Sequence, residues 1–418
     1  MSDFICPYCF EHANTNEVWF QCINPSCLSP DEERTAFELG ISVDQLEENY
    51  IHNYQTVFKG HATNAMFRMF GATNPTHATC PECGNQTTMR VCPHCHSTFP
   101  HGVDSLSNLM IAIVGAKETG KSHYIAILIK RINDLFRSFN WTLTAINDET
   151  MNLYESQFFN PLYGEKPRTL NVTQTAKSNQ NVKTPLLYTL GLTKKNKYMA
   201  VILAFFDTAG EDMDDQAQMQ IINRYIYNAS GIILLFDPLQ MREVRRRLVE
   251  EYQFPPSALP EDTNTYAGEI INRVINVIHS GKGLSQQKKI PNPLAVAFSK
   301  IDVLKQILGA NSRIFQESMH RGSFNIREFS EINGTIRDWV EQMDQFNQSS
   351  FVQQTGVFEN SAFFGDYSGQ SYCQMRYMAE ASGIDQPLVP AKRSVFPHLY
   401  YHTQKEIQNV KLERRSFS

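Results

Sequence analysis

The feature that most constrains this fold is a glycine-rich segment in residues 109–132, which read "LMIAIVGAKETGKSHYIAILIKRI". An apolar run from Met110 to Val114 predicts a buried strand, and a helical pattern follows the glycines. Between them, Gly115 to Ser122 match GxxxxGK[ST] in the strand–loop–helix context that a phosphate-binding loop requires. The segment therefore predicts an α/β fold of the P-loop type, with a mostly parallel sheet and helices on both faces.

Each part of this loop has a chemical task. Glycines let backbone N–H groups turn toward a β-phosphate at the start of a helix. The Lys121 ammonium can reach β- and γ-phosphate oxygens, which makes it a candidate catalytic group, and the Ser122 hydroxyl can bind Mg²⁺. The residues expected to bind nucleotide here are Gly115, Ala116, Lys117, Glu118, Thr119, Gly120, Lys121, Ser122 and His123.

Eight of the nine cysteines lie in the first quarter of the chain, in four closely spaced pairs. Such spacing turns thiolates toward one metal ion, and two pairs complete a tetrahedron around zinc. The sequence predicts two structural Zn²⁺ ions, with the histidines nearby as bystanders. The simplest pairing is sequential, and an interleaved pairing is also compatible with the spacing. The candidate ligands are Cys6, Cys9, Cys22, Cys27, Cys80, Cys83, Cys92 and Cys95.

These pairs divide the chain into a predicted zinc-ribbon module, residues 1–104, and a nucleotide-binding domain, residues 105–418. Residues 42–58, between the cysteine groups, have a helix-like pattern and predict a helical insertion. The tail from Gln374 is expected to hold the closing helix of the second domain.

Composition limits the class of partner. A formal charge of -5 and a pI near 6.2 argue against bulk electrostatic binding of nucleic acid, which is therefore not favoured as a partner. A basic run at Arg242 and 245–247 is interpreted as a solvated helix face. The chain shows no signal-peptide pattern, and its apolar runs are too short for a membrane helix, so we expect a cytoplasmic protein without a membrane partner.

Three further short motifs follow predicted strands. Asp207–Gly210 comes after the apolar residues 198–206, Ser299–Asp302 after 293–298, and Ser361–Ala362 after 355–360. Residues 231–236 predict another buried strand. Residues 324–346 predict a helix whose inward positions are Phe329, Ile332, Ile336, Trp339, Val340 and Met343. Placing polar motifs at the carboxyl ends of parallel strands is typical of ligand sites in open α/β sheets.

The order of these motifs resembles that of Ras-like and translation-factor-like GTPases, which implies guanine specificity. By that resemblance, Asp302 accepts hydrogen bonds from the guanine N1–H and amino group, and Lys300 covers the base. Ser361 and Ala362 would present a backbone amide to the guanine oxygen. Ser299 stands where asparagine is usual, so its brace to the phosphate loop should be weaker.

The same resemblance implies how Mg²⁺ and the γ-phosphate are held. Asp207 would hold Mg²⁺ through water, and the Gly210 N–H would bind the γ-phosphate. Glu211 occupies the place of a water-orienting glutamine, so we expect slow hydrolysis of GTP to GDP that a protein activator accelerates.

The switch threonine that contacts Mg²⁺ and the γ-phosphate also falls in a polar segment. Thr184 has the best spacing for this catalytic role, and Thr173 and Thr175 compete with it. Residues 146–184 are rich in polar side chains, as expected for a switch that orders on nucleotide binding.

Together, "CPECGNQTTMRVCPHCHSTFP" and the phosphate loop resemble a bacterial family of TRAFAC-class GTPases with an N-terminal zinc ribbon, over about residues 1–370. Such relatives tend to be encoded in multi-protein conflict or defence systems. The favoured function is a GTP-hydrolysing switch that acts on protein activators or effectors. Two alternatives remain: an ATP-dependent nucleic-acid-associated NTPase, and a nucleotide-binding zinc-ribbon scaffold with little hydrolysis.

Overall fold

The computed structural model describes residues 3–14, 19–39, 41–60, 76–99, 107–116, 119–136, 141–168, 170, 185–194, 197–205, 216–256, 259, 267–315, 326–344 and 351–365. The chain divides into two compact units. The first comprises Met1–Met110, Thr144–Asn152 and Thr173–Asn228. The second comprises Ile111–Leu143, Leu153–Val172 and Ala229–Ser418.

The N-terminal part of the first unit is built from short strands. They are β1 (Asp3–Ile5), β2 (His12–Asn14), β3 (Trp19–Gln21), β4 (Leu28–Pro30), β5 (Asn53–Gln55), β6 (Val57–Lys59), β7 (Ala78–Thr79), β8 (Gln86–Thr87) and β9 (Arg90–Val91). Strands β1 and β2, β4 and β5, and β7 and β8 form antiparallel pairs, and β3 lies between β6 and β9. Strands this short bury little apolar surface, so the fold needs another source of stability.

The helical pattern of residues 42–58 was misleading. This segment forms two single-turn 3₁₀ helices, Val43–Gln45 and Glu48–Tyr50, followed by β5 and β6. The α-helix of this region, α1, lies earlier, at Glu32–Leu39. Asp31 begins it by accepting a hydrogen bond from the Arg34 N–H at 2.9 Å. An N-terminal cap of this kind stabilises the first turn of α1.

A larger sheet contains β10 (Ser107–Gly115), β11 (Trp141–Ala145), β12 (Leu186–Lys194), β13 (Lys197–Phe205), β14 (Gly231–Phe236), β15 (Leu294–Phe298) and β16 (Ser361–Gly365). Its strand order is β11-β12-β13-β10-β14-β15-β16. Strands β12 and β13 form an antiparallel hairpin, whereas β10, β14, β15 and β16 pair in parallel. The mostly parallel α/β sheet predicted from the sequence is therefore confirmed.

The apolar runs at the centre of the second unit explain this architecture. Every residue of β14 and of β15 is buried, which is the pattern of parallel strands covered on both faces. Sequence alternation is absent from these strands because neither face meets water.

The described helices after α1 are α2 (Lys121–Phe136), α3 (Asp148–Tyr154), α4 (Asn160–Tyr163), α5 (Gln216–Asn228), α6 (Arg242–Glu250), α7 (Ala267–Gly281), α8 (Lys305–Leu308), α9 (Ile326–Asp344) and α10 (Phe351–Thr355). A π-helical segment, Glu155–Phe159, joins α3 to α4. In α9 the predicted inward face is confirmed, because Ile332, Ile336, Trp339, Val340 and Met343 are buried and Phe329 is half-buried.

The basic run lies in α6, where arginines pair with glutamates of the same helix. Glu243 accepts hydrogen bonds from Arg246 at 2.7 Å and Arg247 at 2.9 Å, and Arg246 also reaches Glu250 at 2.6 Å. These guanidinium groups lower the pKa of the Glu243 carboxyl to about 2. The solvated helix face predicted for this run is confirmed, and the structure adds that glutamates of the same helix pair with its arginines.

Within the described ranges, no helix combines the length and the apolarity needed to cross a membrane.

Candidate functional site

The glycine-rich loop lies in the second unit, between the end of β10 and the start of α2. The Lys121 side chain is buried and its Nζ donates to the carbonyl oxygens of Gly115 and Ala116, both at 3.0 Å. The Thr119 hydroxyl also donates to the Ala116 oxygen, at 2.9 Å. The first carbonyl groups of the motif thus hold the lysine ammonium, which places a positive charge at the start of α2.

The two glycines of the motif serve different structural needs. Gly120 has a φ of +84°, a left-handed conformation that favours glycine. Gly115 is restricted by space, because a Cβ there would lie 2.7 Å from the Thr119 hydroxyl and 2.8 Å from the Leu235 oxygen. Either position would therefore resist substitution, for two separate reasons.

The Ser299–Asp302 segment follows β15 at the same edge of the parallel sheet as the loop. Phe236 pairs with Phe298 in register, and Gly115 pairs with Leu235, so these strands end side by side. The Ser299 hydroxyl donates to the Phe236 oxygen at 3.4 Å. Its side chain therefore braces β14.

Asp302 is exposed in the first turn of a short 3₁₀ helix, Ile301–Leu304. An exposed carboxylate at the carboxyl edge of the sheet is available to a ligand. Its two oxygens could accept a pair of hydrogen bonds from a base.

Asp237 is a site residue that sequence reasoning missed. It follows β14 directly, is 1% exposed, and its Oδ2 lies 2.6 Å from Lys300 Nζ. Its other oxygen accepts the Leu239 N–H at 2.9 Å. Lys300 has a left-handed φ of 49°, so the carboxylate fixes the side chain of a residue whose backbone is also constrained. Its place at a parallel strand end, in "LLFDP", was the available signal.

His123 lies one residue beyond Ser122 in the first turn of α2. Burial and then the nearby Lys300 charge lower the pKa of His123 below its ordinary value of 6.5. Its Nε2 accepts the Leu170 N–H at 3.2 Å, which requires a lone pair on that nitrogen. The imidazole is therefore held neutral beside the loop.

The position of Ser361 and Ala362 corrects a sequence-based prediction. Residues 355–360 do not form a strand; α10 ends at Thr355, and the strand β16 begins at Ser361. Ser361 pairs with Leu294, whereas Gly365 pairs with Phe298. The motif therefore lies at the amino end of the strand, about 13 Å from the carboxyl edge at ~3.3 Å per residue, too far to contact the same base as Asp302.

Several predicted site residues lie outside the described residues. They are Lys117, Glu118, Thr173, Thr175, Thr184, Asp207, Gly210 and Glu211. The predicted closing helix after Gln374 and Cys373 also fall outside them. Of the candidate Mg²⁺ ligands, the described residues place only Ser122, which is half-buried at the start of α2.

The eight N-terminal cysteines form two groups, which we call cluster A and cluster B. Cluster A contains Cys6, Cys9, Cys92 and Cys95, and cluster B contains Cys22, Cys27, Cys80 and Cys83. In each cluster the four sulfur atoms lie within 4.8 Å of one another. The pairing is thus interleaved, and the sequential pairing preferred from the sequence is wrong.

Strand pairing explains the interleaving. β3 and β9 are antiparallel, with Trp19 opposite Val91 and Phe20 opposite Arg90. Cys22, just after β3, and Cys92, just after β9, therefore lie at opposite ends of this pair and cannot share an ion. Each instead joins the cysteine knuckle nearest its own end.

The geometry of both clusters fits a zinc ion. Sulfur–sulfur distances are 3.9 Å for Cys6–Cys95 and 3.7 Å for Cys9–Cys92 in cluster A, and 3.4 Å for Cys22–Cys83 and 3.8 Å for Cys27–Cys80 in cluster B. A tetrahedral ion with Zn–S bonds of about 2.3 Å needs sulfur atoms about 3.8 Å apart. The donor set in each cluster is therefore the one that structural zinc uses.

The clusters differ in exposure. All four cysteines of cluster A are buried, and burial raises the pKa of the Cys6 thiol well above its ordinary value. In cluster B, Cys83 is exposed, and a hydrogen bond from the Asn85 backbone lowers its pKa to about 7. Four thiols in contact in a buried site need a cation before all can ionise, so we expect cluster A to depend on a metal more strongly than cluster B.

Two of the neighbouring histidines are used elsewhere. His94 Nε2 lies 3.1 Å from the His12 carbonyl oxygen. His96 Nδ1 lies 2.8 Å from Asp31, which together with Glu33 forms a further group of potential metal ligands that the sequence did not suggest. Because Asp31 also caps α1, the His96–Asp31 contact is explained as a buried structural bond.

The sequence model of the Double-GTPase 2 family matches residues 109–349. This match covers the loop, Asp237 and the Ser299–Asp302 segment, and includes more than half of the 418 residues.

A curated relative from Mycolicibacterium smegmatis, named "Putative ESX-1 scaffolding and assembly protein SaeC", is 29% identical over 223 residues. The alignment covers 52% of this chain and 52% of that protein, so the chain spans about half the length of the curated relative it matches.

Two solved structures also align with the chain. One is the GDP-bound Roco2 RocCORdC of Methanosarcina barkeri, with 13% identity, coverage of 69% of this chain and 53% of that one, and a TM-score of 0.26. The other is the "putative nucleolar GTP-binding protein 1" of Plasmodium falciparum, with 12% identity, coverage of 76% and 97%, and a TM-score of 0.25. Because both TM-scores are low, the assignment depends on the sequence match. By that match, the chain is a P-loop GTPase that belongs to the Double-GTPase 2 family.

Proposed function

We propose that the chain is a guanine-nucleotide-dependent switch that binds GTP and hydrolyses it to GDP and phosphate. The observation that carries this proposal is the placement of the phosphate loop and Asp302 at one edge of the parallel sheet of the second unit. The loop supplies groups for phosphates, and Asp302 supplies a carboxylate for a base. A nucleotide has both of these ends.

The residues of the phosphate loop divide the binding of the phosphates. Backbone N–H groups of 115–123 would surround the β-phosphate, and the Lys121 ammonium would exchange its two loop carbonyls for phosphate oxygens. A Mg²⁺ ion, when bound, neutralises charge on the β- and γ-phosphates. Ser122, Asp207 and Thr184 are the residues that would hold it, with Thr173 or Thr175 as alternatives to Thr184.

Base selection is assigned to Asp302, positioned next to Lys300. Guanine presents two donors, N1–H and the amino group, that a carboxylate can accept, and adenine does not present this pair. An unsatisfied carboxylate would disfavour ATP by several kcal/mol. Asp237 supports this site because it holds the Lys300 ammonium at 2.6 Å.

Hydrolysis requires attack of water on the γ-phosphorus and cleavage of its bond to the β–γ bridging oxygen. Gly210 would bind the γ-phosphate. Glu211, in place of glutamine, puts a negative charge where water must be oriented, so we expect slow turnover unless a protein activator supplies the missing group.

The zinc clusters suit a structural and docking module in residues 1–104, preceding a GTPase domain in 105–418. The name of the Mycolicibacterium relative, a scaffolding and assembly protein, supports protein partners as activators or effectors. We further propose a cytoplasmic location, which suits eight reduced cysteines. The narrower TRAFAC-class assignment is supported by the motif order, and a role in bacterial conflict or defence systems stays a prediction from the resemblance.

The test uses the full chain with Mg²⁺, fluorescent GDP and GTP, and a phosphate-release assay. Lys121→Ala should weaken nucleotide binding by about 100-fold or more, since it removes charged hydrogen bonds to phosphate. Lys289→Ala, at an exposed lysine of the same unit, is the matched control and should bind as the wild type does. Tight binding without phosphate release, even with cellular partners added, would favour the scaffold alternative.

A further inference from the structure

The first cysteine knuckle, residues 6–11, contacts the C-terminal half of helix α5 within the first unit. Consecutive residues of the knuckle make three different contacts: one between aromatic rings, one hydrogen bond and one ion pair. The helix begins at Gln216, six residues after Gly210. It is therefore the first described element after the segment proposed to bind the γ-phosphate.

The aromatic contact is made by Phe10. Its side chain is fully buried, and its ring centroid lies 4.9 Å from that of Tyr225, which is also buried. An aromatic pair at this distance contributes both area burial and a preferred orientation. Phe10 thus fixes the knuckle to one position along the helix.

The backbone of Phe10 is unusual for such a large residue. Its φ is +61°, in the left-handed region, and it is held there by hydrogen bonds from its N–H to the Cys6 oxygen at 3.0 Å and from the Cys6 N–H to the Glu11 oxygen at 2.9 Å. Bulky side chains rarely adopt this conformation. A phenylalanine in this conformation therefore indicates that its side chain makes a contact that offsets the backbone strain.

The other knuckles provide an internal comparison. The residue after the second cysteine is Gly84 in the Cys80–Cys83 knuckle and His96 in the Cys92–Cys95 knuckle, and both have positive φ. Glycine meets the backbone requirement at Gly84 without strain. The turn itself therefore does not require phenylalanine, and the Tyr225 contact accounts for it.

Two polar contacts flank the aromatic contact and fix the orientation of the knuckle on the helix. Asn228 Nδ2 donates to the Phe10 oxygen at 2.7 Å, and Arg224 Nη1 lies 2.7 Å from Glu11 Oε1. Arg224, Tyr225 and Asn228 are spaced so that they lie on one face of the helix. The knuckle therefore contacts one face of the last turns of α5.

We propose that the first cysteine knuckle, residues 6–11, is a clamp that positions α5. The nucleotide state of the protein and the metal-binding geometry of cluster A would then be coupled. This rests on the proposed function, because α5 must respond to the γ-phosphate through residues 207–210. Coupling of this kind is reciprocal: if nucleotide changes the cluster, zinc in the cluster changes nucleotide affinity by the same factor. Cluster B provides the comparison, because its knuckles lack these contacts with α5 among the described residues.

The test measures how fast each cysteine is alkylated by N-ethylmaleimide when a zinc chelator is added to the full chain. Peptide mass spectrometry resolves Cys6 and Cys9 from Cys22 and Cys27 in one sample. The protein is compared with GDP and with a non-hydrolysable GTP analogue, both with Mg²⁺. We expect the rate at Cys6 and Cys9 to differ about fivefold or more between the two states, and that at Cys22 and Cys27 to stay constant.

Variants separate a clamp from a general structural role. Phe10→Gly should leave cluster A able to bind zinc, because glycine suits the positive φ, and should remove the nucleotide dependence. Glu11→Arg should reduce the dependence, and adding Arg224→Glu should restore it by re-forming the ion pair with reversed charges. Arg34→Ala, which removes an ion pair with Glu38 elsewhere in the first unit, is the control and should retain it.

Nucleotide binding is measured by fluorescence on the same samples. Binding of both nucleotides with equal alkylation rates at cluster A would overturn the clamp alone. Equal changes at both clusters, or no rescue by the reversed pair, would also overturn it. Absence of guanine nucleotide binding would overturn the proposed function, and the coupling with it.

Discussion

The cysteine-rich region and the parallel sheet around the phosphate loop are stabilised in different ways. The first has strands of two or three residues, and its buried side chains include six of the eight clustered cysteines. The second has strands such as β14 and β15 in which every residue is buried and apolar. The comparison predicts that the first region depends on metal ions, and it shows that the second is held by apolar burial.

Chelation tests this contrast with the largest expected effect. Structural zinc binding contributes about 10–16 kcal/mol per ion near pH 7, far more than a few short strands can supply. We expect removal of zinc to abolish hydrogen-exchange protection in β3 and β6 while β14 and β15 stay protected. Unchanged protection of β3 after verified loss of two zinc ions would contradict the contrast.

A core substitution tests the other half of the comparison. Ile233 is fully buried in β14, so Ile233→Ala should lower the free energy of unfolding of the second unit by about 2–5 kcal/mol. Tyr252→Ala, at an exposed aromatic side chain of the same unit, is the control and should change it by about 0.5 kcal/mol or less. Urea denaturation followed by tryptophan fluorescence measures both. A loss of zinc from Ile233→Ala would show that the two regions are not stabilised separately.

Asp237 is a buried polar residue directly after the apolar strand β14, and we expect its substitution to change nucleotide affinity. Asp237→Asn keeps the acceptor for the Leu239 N–H but removes the charge that holds Lys300 at 2.6 Å. We expect GDP affinity to fall about tenfold, since Lys300 is partly exposed and its ion pair is correspondingly weakened by solvent. Titration calorimetry measures the change, with the exposed Asp338→Asn as control. Unchanged affinity would show that Lys300 needs no fixed partner.

The smallest expected effect concerns the pKa of His123. Burial and the Lys300 charge lower its pKa, so the group is neutral in the folded protein at a pH where a free histidine is partly charged. The contribution of this neutral form is present above pH 6.5 and is lost as the pH falls through the lower, folded-state value. An NMR titration should place the His123 midpoint below 6.5, and Lys300→Met should raise it. A midpoint at or above 6.5 would contradict the described environment.

The sequence predicted what local patterns determine and missed what distant pairing determines. The strand before the phosphate loop, the helix after it, the strand 231–236 and the inward face of α9 follow from spacing along the chain, and all are confirmed. The zinc pairing depends on the pairing of β3 with β9, in which Trp19 lies opposite Val91, 72 positions later in the chain, and no local pattern encodes that register.

Two further errors have the same origin. Ser361 and Ala362 were placed after a strand because residues 355–360 precede them, whereas pairing with β15 makes them its first residues. Asp237 was missed because its role appears only when β14 and β15 lie side by side and bring Lys300 to it. Short motifs predict which chemistry a segment can supply, whereas their position relative to strand ends depends on how the sheet is assembled.

Guanine recognition by Asp302 is the central claim, and exchanging the base tests it most directly. A carboxylate accepts from both N1–H and the amino group of guanine, whereas the amide of Asp302→Asn accepts one hydrogen bond and donates one, which matches N1–H and the 2-oxygen of xanthine. The measurement is the affinity of the wild type and of Asp302→Asn for GDP, XDP and ADP with Mg²⁺. The account predicts that the wild type prefers GDP and that the variant prefers XDP. A wild type that prefers ADP, or a variant whose preference does not change, would contradict it.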